Sequence, residues 1–173
     1  MIMGISKKLE LAYKNYLNED YEEALSQLSI AVDATAKRES YVKSGNGERY
    51  KSFLTDNIQI ITYLITGVRL NGLQLGKKSL EEILYKSVRC KLLHEASSDD
   101  FILSEKTLTG DGRVIPKSIV VALFFVVALS PKNQTEWTKT NLWVIDPNTK
   151  EKLYLNDIWG KRHLLLFNQH PAK

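Results

Sequence analysis

The sequence predicts a mainly α-helical fold: a helical body of about five helices, with a β-hairpin insert at about 101–115 and a β-containing C-terminal tail. Three observations predict it. Stretches before residue 95 repeat apolar residues at helical spacing. A continuous apolar run, "IVVALFFVVAL" (Ile119–Leu129), lies between Pro116 and Pro131. Two clusters of turn residues, Gly110–Asp111–Gly112 and Asp146–Pro147–Asn148, each separate short segments of extended character.

The elements follow in order. Leu9, Tyr13, Tyr16 and Leu17 mark a first helix over 5–17. Asp20 is placed to cap a second over 20–38, whose stripe is Leu25, Leu28 and Val32. The polar stretch "KRESYVKSGNGER" leads to a long helix over 48–70, carried by Phe53, Ile60, Ile61, Leu64, Ile65 and Val68. "NGLQLGKK" is a glycine-containing loop. Ser79 then caps a fourth helix with Glu81 and Glu82 in its first turn, where carboxylates suit the helix dipole. After the insert comes a buried helix over 117–129, then a hairpin turning at Asp146–Pro147–Asn148, and "HLLLFNQ" as one more strand.

Length and composition narrow the function classes. A chain of 173 residues suits one domain with an appendage, divided here into a helical domain, 1–130, and a β-rich extension packed on it, 131–173. Hydrophobic residues at 43% and charged residues at 25% are enough for a core that needs no staples. The single Cys90 excludes an intramolecular disulfide and any multi-cysteine zinc site, and it suits a reducing, cytoplasmic setting. The first residues, "MIMGISKKLELAYKNY", lack a signal-peptide core, and Ile119–Leu129 is about half the length that spans a bilayer. No membrane is therefore expected. A net charge of +4 permits a nucleic-acid partner without demanding one.

The most informative stretch is "RCKLLHE", residues 89–95, where the fourth helix runs out. Arg89 and His94 stand five positions apart in a chain with three histidines. On an α-helix that spacing is about 7.5 Å of rise and about 140° of rotation, so the two side chains do not share a line. Two copies about a two-fold axis bring two arginines and two histidines to one cleft. Such a cleft suits metal-independent RNA cleavage. A histidine titrating near neutrality can take the proton of a 2′-hydroxyl. A guanidinium can hold the phosphate by paired hydrogen bonds and stabilise its developing charge. The bland alternative is a histidine favoured by the helix dipole and an arginine making a surface ion pair.

These residues carry a resemblance. Arg-x-x-x-x-His at the end of a late helix in a small helical bundle is similar to the motif of the HEPN superfamily, and "RCKLLHE" resembles its Arg-Cys-x-x-x-His-Glu version. The resemblance spans roughly residues 5–130 and implies an up-and-down helical bundle, a homodimer with facing motif helices, and ribonuclease activity in many members. It implies Arg89 as phosphate binder and His94 as general base or acid. Cys90 departs from the Asn, Asp or His that follows the arginine in many active members, and Ala96 departs from the tyrosine of the toxin subgroup.

Other residues complete the candidate site. Asp33, an acid inside an apolar helix, needs a partner, and Arg89 is the natural one. Cys90 reads as a buried small residue and Glu95 as a neighbour of the histidine; with Asp33 they are the supporting positions. Lys37, Arg38, Lys43, Arg49 and Lys51 form a basic zone that is either a phosphate path or a solvated face. Trp137, Trp143 and Trp159 read as core or partner surface. No cofactor is expected, and no metal. Two functions compete: a metal-independent endoribonuclease cutting single-stranded RNA, and a non-catalytic module that dimerises or binds a nucleic-acid or protein partner.

Overall fold

The computed structural model describes residues 4–39, 45–95, 101–105, 113–146 and 149–166, except for the side chains of His94, Glu95 and Leu166. The fold is mainly helical with small sheets. Helix α1 (Ile5–Leu17) turns at Asn18–Asp20 into α2 (Tyr21–Arg38), and the two pack along their length. Asp20 accepts from the Glu23 N–H at 3.3 Å, so the expected cap is in place.

The expected helix over 48–70 is two helices, α3 (Asn46–Asp56) and α4 (Ile58–Thr66). Asn57 divides them. Its side chain donates to the Phe53 carbonyl at 2.8 Å, so the amide competes with the backbone ladder where the chain bends. Gly67, in the left-handed region at φ 77°, ends α4 before residue 70. The following loop contains a small antiparallel pair, β1 (Gln74–Leu75) and β2 (Lys78–Ser79). Ser79 accepts from the Glu82 N–H at 3.4 Å and caps α5 (Leu80–Ile83) as expected.

The chain then continues as a π-helix over Leu84–Glu95. Winding with i→i+5 bonds is rare, occurs mostly as single turns, and is frequent at functional sites. Beyond it, β3 (Ile102–Ser104) and β4 (Val114–Pro116) pair parallel, with Ile102 opposite Val114. This corrects the expected hairpin. The turn assigned to Gly110–Asp111–Gly112 lies outside the described residues; the register that forms keeps Phe101 and Ile115 buried and feeds Lys117 directly into α6.

Helix α6 (Ser118–Ala128) is buried almost throughout and packs on α2 and α4. That accounts for its unbroken apolar sequence. The strands β5 (Trp143–Ile145) and β6 (Lys152–Tyr154) pair antiparallel as expected, with Trp143 opposite Tyr154, while residues 147–148 of the expected turn lie outside the described residues. Of the expected last strand, residues 163–166 lie instead in a short helix, α7 (Arg162–Leu166), and 167–169 lie outside the described residues. An unbroken leucine run has no alternation to separate strand from helix, and here Leu165 points into the core. The C-terminal segment is tied down by polar links. Trp159 Nε1 donates to the Asn133 carbonyl at 3.1 Å, and Tyr63 donates to Asp146 Oδ1 at 2.9 Å. Arg162 and Ser130 both bond Glu39. Among the described residues, no helix is long and apolar enough to cross a membrane.

Candidate functional site

Three elements build the site: α2 supplies Asp33, α3 supplies Arg49 and Tyr50, and the π-helix supplies Tyr85, Arg89 and Cys90. Arg89 Nη2 donates to Asp33 Oδ2 at 2.9 Å, and Arg49 Nη2 donates to Asp33 Oδ1 at 3.4 Å. One carboxylate therefore lies between two guanidinium groups. Arg49 also donates to Asn46 Oδ1 at 2.8 Å. The side chains of Arg89, Arg49 and Asp33 keep 11%, 20% and 21% of their exposure.

Aromatic rings hold Arg89 in place. Its guanidinium carbon lies 5.5 Å from the Tyr50 ring centre and 5.4 Å from that of Tyr85, close enough for cation–π attraction to both. Gly47 makes room for this arrangement: a Cβ there would come within 2.5 Å of the Tyr85 hydroxyl oxygen. Burial disfavours the Arg89 cation, but the Asp33 hydrogen bond and charge outweigh that and raise its pKa. Burial pushes the Tyr50 phenol up to about 12, against the opposing pull of the adjacent Ser29 and of Arg89. The phenol stays neutral in any physiological setting.

The π-winding changes the expected relation of the two motif residues. On an α-helix, positions 89 and 94 diverge around the axis. In a π-helix, residues five apart are the hydrogen-bonded pair of one turn, so the backbone sets position 94 one turn beyond position 89 on the same side. The side chains of His94 and Glu95 are outside the described residues.

The basic zone is divided. Arg49 joins Arg89, and Lys51 lies nearby, 2.6 Å from Glu48 and 5.9 Å from the Tyr85 ring. Arg38 turns away, bonding Glu136 Oε1 at 2.6 Å and Asn133. Lys37 is exposed, and Lys43 lies outside the described residues. Cys90, expected to be buried, is half-buried and free. Trp159 is buried, whereas Trp137 and Trp143 are exposed. Among the described residues, no three His, Cys, Asp or Glu side chains are grouped to hold a metal ion.

Sequence reasoning missed Tyr50, Tyr85 and Gly47 as parts of the site. Both tyrosines sit on stripes that read as ordinary core. The available signal was "GNGERY", a glycine-rich helix start carrying an arginine and a tyrosine together.

The Rv1289 family model matches residues 4–168, from the start of α1 through α7. The chain belongs to the Rv1289 family. The Rv1289 match runs through both the helical body and the C-terminal segment. No curated protein and no solved structure matches the chain.

Proposed function

We propose that this Rv1289-family chain is a HEPN-like, metal-independent endoribonuclease that cuts single-stranded RNA at a site shared by two copies. The HEPN-like character rests on the motif Arg89-x-x-x-x-His94 within a helical body over 1–130, with 131–173 as an extension packed on it. One observation carries the reading furthest. The π-winding aligns positions 89 and 94 along one side of the helix while Asp33 and two tyrosine rings orient Arg89.

In this reading Arg89 holds a backbone phosphate. His94 takes the proton from the neighbouring 2′-hydroxyl, whose oxygen attacks phosphorus. The 5′-oxygen leaves and takes a proton from His94 of the partner subunit. The products are a 2′,3′-cyclic phosphate and a 5′-hydroxyl end.

A second reading has its own support. Arg89 is only 11% exposed and already bonded to Asp33, as expected of a residue that ties α2 to the π-helix in a non-catalytic binding module. Incubating the protein with single-stranded RNA in EDTA tests the choice. Cyclic-phosphate ends in the products support the nuclease. Intact RNA after long incubation with wild type supports the module, and cleavage only after added magnesium or manganese defeats the mechanism.

A further inference from the structure

Among the described residues, the Asp33 cluster has more cationic and donor capacity than its partners consume. Two guanidinium groups share one carboxylate, leaving one positive charge uncompensated within the trio. On α3, Glu48 is paired with Lys51 at 2.6 Å, and Asn46, which accepts from Arg49, is neutral. Both arginines also have a buried Nε atom without a hydrogen-bond partner among the described residues. An unsatisfied donor on a charged, half-desolvated group is costly, and such groups are normally satisfied in the state for which they are arranged. The fully buried side chains of Tyr50 and Ser29 lie beside the cluster.

We propose that Arg49 and Arg89, on either side of Asp33, form a phosphate-binding site in which Arg49 is a second phosphate-holding side chain. A tetrahedral oxyanion supplies acceptors in several directions, as the forked, planar donors of two guanidinium groups require. Asp33 orients both forks and competes with the incoming anion. The cost of that competition is offset by the ready-made geometry. The inference rests on the functional reading above only in taking phosphate as the ligand; the group can come from an RNA backbone or from a free phosphate or phosphomonoester.

Thermal melts and calorimetry with inorganic phosphate, against chloride at equal ionic strength, test the site without reference to cleavage. Wild type should gain a saturable stabilisation specific to phosphate. Arg49→Gln should weaken phosphate binding by about tenfold or more, and Arg49→Lys by less. Asp33→Asn should lower the phosphate-free melting point yet tighten phosphate binding, because the competing charge is gone. That opposite sign distinguishes an anion site from a purely structural ion pair. If Arg49→Gln does not fold, Arg49→Lys and Asp33→Asn carry the test. No phosphate-specific shift in wild type, or an equal shift in the Arg49 variants, overturns the proposal.

A labelled single-stranded RNA distinguishes the sources. Displacement of the RNA by phosphate assigns the site to the RNA backbone. Phosphate binding without RNA binding assigns it to a free phosphate ester, which leaves this inference standing and removes the nuclease reading. Cleavage that is indifferent to Arg49 does the reverse.

Discussion

Arg89 reaches across from the π-helix to Asp33 of α2, closing a 2.9 Å hydrogen bond while lying beside the paired rings of Tyr50 and Tyr85. The contact joins two packed elements, and it fixes the motif arginine in one orientation. The proposed function adds a chemical role to this structural one in the same guanidinium group, and substitutions can separate the two.

Arg89→Ala should destabilise the fold by about 1–3 kcal/mol, because Asp33 loses its better partner and the tyrosine rings lose their packing. Arg49 remains beside Asp33, which keeps the loss below that of a fully stranded buried charge. Denaturant titration of wild type and variant measures it. Equal stabilities would show that the bond adds nothing to folding.

Gly47→Ala should also destabilise, despite alanine's better helix propensity. The new methyl would meet the Tyr85 hydroxyl oxygen at 2.5 Å and ring carbon Cζ at 2.7 Å. Tyr85 must then leave its place over Arg89. Overpacking of this kind costs about 1–3 kcal/mol, more than the roughly 1 kcal/mol that replacing a helical glycine returns. A raised melting temperature would show that Tyr85 moves freely.

Much of the fold is legible in the sequence because its signals are local. Asp20 and Ser79 cap helices as their residue type and position require, and the apolar run at Ile119–Leu129 is a buried helix. Other features depend on context. Asn57 breaks a helix through a side-chain bond to Phe53, which periodicity does not reveal. The leucines of α7 fit strand or helix equally. The parallel pairing of β4 with β3 is a long-range arrangement that turn residues in the sequence do not reveal. In the site, the pairing of Asp33 with Arg89 follows from the cost of burying an acid. The winding of Leu84–Glu95 does not, since the same apolar spacing serves an α- or a π-helix.

Acid should weaken the fold partly through Glu136. Burial raises this carboxyl, but the Ser6 N–H and the Arg38 guanidinium outweigh it, and the pKa falls below the ordinary 4.5. A depressed carboxyl contributes stability in full above its unfolded value and loses it as pH drops through the folded one. Wild type should therefore exceed Glu136→Gln by about 1 kcal/mol at neutral pH, with the gap closing below about pH 4.5. A gap that persists at low pH would contradict this assignment.

Assembly is a separate expectation of the shared-site reading. Sedimentation at micromolar concentration should give about twice the chain mass of 19.8 kDa. A strict monomer removes the composite site, although the phosphate site of a single chain is unaffected.

The most direct measurement is the rate of single-stranded RNA cleavage in EDTA by wild type, His94→Ala and Arg89→Lys, with melts recorded on the same samples. The account predicts cleavage by wild type and a loss of about 10²–10⁴ in rate for His94→Ala with its melting temperature nearly unchanged. Arg89→Lys, which keeps the charge but not the planar fork, should also cut more slowly. A wild type that leaves RNA intact, with only the melts responding to substitution, would contradict it and assign Arg89 and His94 to architecture.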